Sequence, residues 1–152
     1  MRTLLLVFAA VSFHQAARAD ERTPASAFAF IKNILTDGSW FAEAESCSQS
    51  GVYCSTYSDY RIAGVTVVGQ SYCKLNFDLF ANGARDSATI DLRRNFTVTV
   101  EPTAVVFAGP VLNAKGKILA RWAIYGPSEE FVGRVGKAIK FIHESCKVES
   151  PW

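Results

Sequence analysis

Cys73-Lys74-Leu75-Asn76-Phe77-Asp78-Leu79, followed by Asn82-Gly83 and then Ala88-Thr89-Ile90-Asp91-Leu92-Arg93, decides the fold. Cys73, Leu75, Phe77 and Leu79 alternate with Lys74, Asn76 and Asp78. A period of two puts the first set on one face of a strand and the second on the other. Asn82-Gly83 is a hairpin turn signal, because both central positions of a two-residue turn need positive φ. Ala88, Ile90 and Leu92 then alternate with Thr89, Asp91 and Arg93. The stretch therefore reads as an antiparallel hairpin with one apolar and one polar face.

The same period extends outward on both sides. Ile62–Val68 is a β-branched run ended by Gly69. Phe96, Val98 and Val100 alternate with Thr97 and Thr99, Glu101-Pro102 punctuates, and Thr103–Phe107 resumes. Gly109-Pro110 and Asn113–Gly116 mark turns. Ile118, Ala120, Trp122 and Ile124 are expected to face one way, opposite Leu119, Arg121, Ala123 and Tyr125.

Helical spacing appears only at the two ends. Thr23-Pro24 supplies an N-cap hydroxyl and a proline at the first helical position. Ala27, Phe28, Ile31, Ile34 and Leu35 form one apolar face, and Asp37-Gly38 stops it. Trp40 and Phe41 are expected to pack this helix onto the body. Pro127-Ser128-Glu129-Glu130 opens the last helix with acids at its positive end. Its apolar stripe is Val132, Val135, Ile139, Ile142 and Cys146.

Strands in series without intervening helices exclude a doubly wound parallel sheet. The expected fold is α+β: a curved antiparallel sheet of six to seven strands, the N- and C-terminal helices packed on one face, and two disulfides. No stretch has the composition of a linker, so residues 20–152 read as a single domain.

Residues 1–19 carry the three parts of a cleavable export signal. Arg2 is the positive end, Leu4–Phe13 the apolar run and Ala17-Arg18-Ala19 the small-x-small site. Ten apolar residues span only about 15 Å as a helix, roughly half a bilayer core. Cleavage is expected before Asp20, giving a periplasmic or secreted protein with no membrane span in the mature chain. The absence of further sorting signals favours a bacterial periplasm. The 152-residue chain has 16 basic and 14 acidic residues; Arg2 and Arg18 leave with the signal, so the mature net charge is zero. That balance argues against nucleic acid, whose binding rests on many neutralised phosphates, and gives no support to a polybasic membrane-surface mode.

Cys47, Cys54, Cys73 and Cys146 all follow the signal, and an even count in an oxidising compartment reads as two disulfides. Three pairings are open. Cys47–Cys54 with Cys73–Cys146 is preferred, because Cys146 lies on the apolar stripe of the last helix and Cys73 on the inner face of its strand. A structural zinc site is disfavoured: the spacings x6, x18 and x72 contain no C-x2-C knuckle. No metal and no cofactor are expected.

His143 is the only histidine once His14 is removed, and no spacing around it supports a triad. It reads as a partly exposed residue near the negative end of the last helix. His143-Glu144 is not a zinc-protease signature, since Lys147 stands where a second histidine is required. Gly133-Arg134-Val135-Gly136-Lys137-Ala138 fails as a phosphate loop, because Phe131 and Ala138 occupy the glycine and hydroxyl positions. Its two glycines read as close-packing positions inside a helix. Asn95-Phe96-Thr97 matches the N-glycosylation pattern, which matters only in a eukaryotic secretory route.

The carboxylates open to acid–base work are Asp78, Asp86, Asp91, Glu101, Glu129 and Glu130. Asp78 and Asp91 hold outward positions that the hairpin is expected to bring side by side. The segment Ser46–Tyr60 mixes serines with Tyr53, Tyr57 and Tyr60, a composition that gives large contact area and adaptable hydrogen bonds. The more ordinary alternative is a surface hairpin whose tyrosines pack over the edge of the sheet. The leading functional expectation is a small exported non-catalytic binding module. Tyr53, Tyr57 and Tyr60 would be its contact residues, and its ligand a protein partner, as for an inhibitor or immunity-type protein, or a small molecule under the sheet. The other expectation is a small carboxylate-dependent hydrolase.

Overall fold

The computed structural model describes residues 22–47, 54–95 and 97–148. The expected export signal at 1–19 lies outside them. Helix α1 spans Pro24–Leu35, and Thr23 and Ser26 cap it reciprocally. Strand β1 is Phe41–Cys47, β2 Cys54–Val67, β3 Lys74–Ala81 and β4 Ala84–Asp91. Strand β5 is Thr97–Val100, β6 Ala104–Ala108, β7 Val111–Asn113, β8 Ile118–Leu119 and β9 Arg121–Tyr125, and helix α2 is Glu129–Val148. The strands form one open antiparallel sheet in the order β5-β6-β9-β1-β2-β3-β4-β7-β8.

The α+β layout with terminal helices on one face is as the periodicity implies. Among the described residues nine strands replace six or seven, because β1 arises at the edge of a segment that reads as polar, the short β7 arises among the turn signals before Ile118, and the strand expected from Ile118 divides at Ala120 into β8 and β9. The Asn82-Gly83 turn has φ of 51° and 77°, the positive pair its sequence calls for. Leu75, Phe77, Ala88 and Ile90 point inward, with Trp122 wedged between Phe77 and Phe107 at ring separations of 4.7 and 5.0 Å. Val132, Val135, Ile139 and Ile142 of α2 and Ile31 and Leu35 of α1 close the core from the helical side.

Two register shifts bend the long strand β2. One lies opposite Ala42 and Ala44, where Asp59 takes φ 65°; the other falls between Ile62 and Gly64. An extra residue in one strand kinks it and increases its twist. Curvature brings the β8 edge of the sheet back to β1. Strand β8 runs through Ala120 into β9, and the Ala120 N–H donates to the Glu45 carbonyl at 2.7 Å. The chain thus leaves the β7 edge and joins β1 within one residue. The expected alternation from Ile118 to Ile124 breaks here: Ile118 is 63% exposed and Leu119 buried, whereas Trp122 and Ile124 are buried. The reason is that Ala120 switches neighbours and so resets the pleat.

Trp40 is buried as expected, but Phe41 is 43% exposed. It is in phase with Glu43 and Glu45 on the outer face of β1, which faces away from α1. Of the two glycines in α2, Gly136 bears out close packing, since a Cβ there would overlap Val100 of β5. Gly133 meets nothing within 4 Å.

Both preferred disulfides are present, Cys47–Cys54 and Cys73–Cys146. The first joins residues directly opposite each other on β1 and β2. The second has a Cα separation of 5.6 Å and ties the start of β3 to the last turns of α2 in the core. Two disulfides are compatible with an oxidising compartment. Among the described residues no helix is long and apolar enough to cross a membrane.

Candidate functional site

The helices cover only part of the concave face. At the end nearest the Cys47–Cys54 bridge, strands β1, β2, β3, β4, β7 and β8 surround an open mouth with a cavity of about 320 Å³. Its floor is apolar: Ala44, Leu79, Ala88 and Leu119. Its rim is polar: Ser46, Tyr60, Asp86, Asn113, Lys115 and Lys117.

Each rim residue is placed by a feature of the sheet. The β3–β4 register pairs Asp86 with Leu79, in phase with Ala88 and Ile90, so the carboxylate stands on the inner, apolar side of its strand. Asp86 Oδ1 accepts from the Ser87 N–H at 2.7 Å. Tyr60 pairs with Ala42 across the first bulge and is half-buried. The β7–β8 turn is clamped by Asn113, whose Oδ1 accepts from the N–H groups of Lys115 and Lys117 at 3.0 and 2.9 Å. Gly116 takes φ 72° to complete it. Both lysines are held at the rim by backbone bonds, and their ammonium groups remain exposed.

Of the tyrosines expected to make contacts, Tyr60 lines this mouth. Tyr57 pairs with Ala44 on the same strand; its side chain lies outside the described residues, as does Tyr53. Asp86 carried a signal in the sequence that was open to reading: an acid in phase with Ala88, Ile90 and Leu92. Lys115 and Lys117 had none, because only folding brings their turn to the far end of β1 and β2.

Asp78 and Asp91 are not side by side. The two-residue turn fixes the hairpin register, pairing Asp78 with Ser87 and Asp91 with Lys74. Four positions along a strand separate them by about 13 Å, beyond the roughly 5–10 Å that a carboxylate pair spans in glycoside hydrolysis. Asp78 accepts from the Asn76 amide at 2.9 Å. Asp91 receives two bonds from the Arg93 guanidinium, which holds its carboxyl below the usual range. Asp78 shares a cleft of about 470 Å³ with Arg61, Arg85 and Asp86. Asp78 and Asp86 leave β3 and β4 from opposite faces and border this cleft together with the two arginines.

His143 is 6% exposed, not partly exposed, because α2 packs that side of its last turns against the loop after β4. Burial, and after it the Lys147 ammonium, holds the imidazole below its ordinary value of 6.5; the Leu92 backbone and Glu144 oppose this less strongly. The folded protein thus favours neutral His143. Its contribution to stability is complete above pH 6.5 and declines as the pH drops below 6.5 towards the folded value, because the unfolded chain there binds more protons. Asp91 acts in a separate, more acidic window, where stability is lost as its carboxylate protonates. Urea midpoints between about pH 7.5 and 5 should fall for the wild type and fall less for His143→Asn. Equal slopes would contradict this assignment.

Glu45, Cys47 and Cys54 are the one group of possible metal ligands among the described residues, and both sulfurs are committed to the disulfide. No family model, curated protein or solved structure matches the chain.

Proposed function

We propose that this protein is an exported, non-catalytic binding module whose recognition site is the mouth of the curved sheet. The observation that carries the reading is a cavity of about 320 Å³ with an apolar floor and a polar rim drawn from six strands. Ligand pockets commonly combine an apolar lining with a few fixed polar groups, and they favour the mouths of β-barrels and similarly curved sheets. The Cys47–Cys54 bridge lies one residue beyond Ser46 and stiffens one wall. Pre-ordered walls lower the entropy cost of binding. Among the described residues Asp86 is the one carboxylate lining this cavity, whereas carboxylate hydrolysis draws on two.

Ser46 is in phase with Ala42 and Ala44, so an indole at this position fills the mouth from its rim. Tagged wild-type protein should retain a component of the native exported fraction that Ser46→Trp does not retain, with the same melting temperature for both. Equal retention by the two proteins would overturn the mouth as the site.

A further inference from the structure

We infer that the mouth takes a small zwitterion, a free amino acid or a short peptide, with its ammonium on Asp86 and its carboxylate between Lys115 and Lys117. This deepens, and rests on, the reading of the mouth as the binding site. Three charges of both signs line one cavity, yet none of them forms an ion pair among the described residues. Among the described residues Asp86 pairs with neither lysine, and the one bond to its carboxylate is from its neighbour's N–H to Oδ1. Its second oxygen is therefore open to a donor.

The position of Asp86 is itself informative. Asp86 is half-buried on the inner side of its strand and forms no ion pair among the described residues, so a cationic group of a ligand would meet an unpaired carboxylate there. Lys115 and Lys117 stand beside Asp86's strand, on the turn that continues β7, the neighbour of β4, and Asn113 clamps that turn with two backbone bonds. Both lysines line the cavity, and an anion at this rim would be attracted by two positive charges.

The field inside the mouth thus runs from negative at β4 to positive at the β7–β8 turn. A ligand with one charge of each sign, set a few bonds apart, satisfies both ends at once. A purely anionic ligand leaves Asp86 opposed, and a purely cationic one leaves the lysines opposed. The apolar floor of Ala44, Leu79, Ala88 and Leu119 suits an aliphatic side chain. The cavity volume is near the lower end of the usual range of about 300–1,000 Å³, which fits a compact ligand.

The test uses L-leucyl-L-leucine as probe, followed by amide chemical shifts of the mature protein. Its N-acetyl form lacks the ammonium, and its C-terminal amide lacks the carboxylate. Shifts centred on Tyr60, Asp86 and Asn113 are expected with the dipeptide, and each blocked form should bind at least about tenfold more weakly, the equivalent of 1.4 kcal/mol. Asp86→Asn should abolish the difference between the dipeptide and its N-acetyl form. Lys115→Ala/Lys117→Ala should abolish the difference between the dipeptide and its amide. No shift at about millimolar dipeptide, or equal binding of all three forms, overturns the zwitterion. If that happens while Ser46→Trp still loses the retained component, the mouth remains the site and only the ligand class falls. If Ser46→Trp retains the component as well, the mouth reading falls too.

Discussion

Replacing Cys73 and Cys146 together by alanine is expected to destabilise the protein by about 4 kcal/mol. The bridge closes a loop with a sequence separation of 73, against 7 for Cys47–Cys54. In the chain-entropy model a longer loop constrains the unfolded state more, so the short bridge contributes about 2.5 kcal/mol. The two pairs also differ in what they hold. Cys73 and Cys146 are both buried and pin the end of α2 beside the start of β3, where the Leu92 N–H also donates to the Cys73 carbonyl at 2.7 Å. Loss of that pin frees the last turns of α2, including His143, to leave the core. Cys47 and Cys54 stiffen a hairpin tip at the sheet's margin. Urea unfolding should therefore rank wild type above Cys47→Ala/Cys54→Ala, and that above Cys73→Ala/Cys146→Ala. The reverse order would show that the hairpin, not the helix, is the part the cross-links secure.

Trp122→Ala is expected to cost about 3–5 kcal/mol, in the range of large aromatic deletions from a core. Trp122 has no exposed surface and contacts the rings of Phe77 on β3 and Phe107 on β6, so it bridges strands from both halves of the sheet. It is also the first inward side chain after the Ala120 switch, and its position depends on that kink. The indole Nε1 finds no acceptor among the described residues. Trp122→Phe keeps the ring stacking and removes that donor, so its cost should stay near 1–2 kcal/mol. Equilibrium unfolding of both variants checks the pair. A small loss for alanine would mean that the core collapses around the gap and that Trp122 is not its centre.

What could be read from the chain and what could not divide along a physical line. The hairpin from Cys73 to Leu92 and the helix starting at Thr23-Pro24 rest on local rules, periodicity, turn chemistry and capping, and all appear as written in the sequence. The Cys73–Cys146 pairing followed because both residues lie on apolar faces of adjoining layers. The register of Asp78 was also local information, since the position of Asn82-Gly83 alone fixes its partner as Ser87. Three features depended on contacts distant in sequence. Ala120 resets the pleat because its N–H reaches Glu45, which no pattern within residues 118–125 reveals. The bulges in β2 are matched to curvature of the whole sheet. His143 is buried because α2 covers the loop after β4, although its place next to Ile142 and one turn before Cys146 already set it beside the apolar stripe. The rim of the mouth shows both cases: Asp86 is a charge in phase with the apolar Ala88 and Ile90, and the two lysines join it only through folding.

We propose a chain that is exported, trimmed and cross-linked before it works, and its two disulfides are compatible with an oxidising compartment. Non-reducing peptide mapping of the mature protein, isolated from its native source, addresses this directly. The expected result is a new N-terminus at Asp20, Cys73 joined to Cys146, Cys47 joined to Cys54, and no free thiol. A folded product that keeps Met1 or carries four reduced cysteines would contradict it.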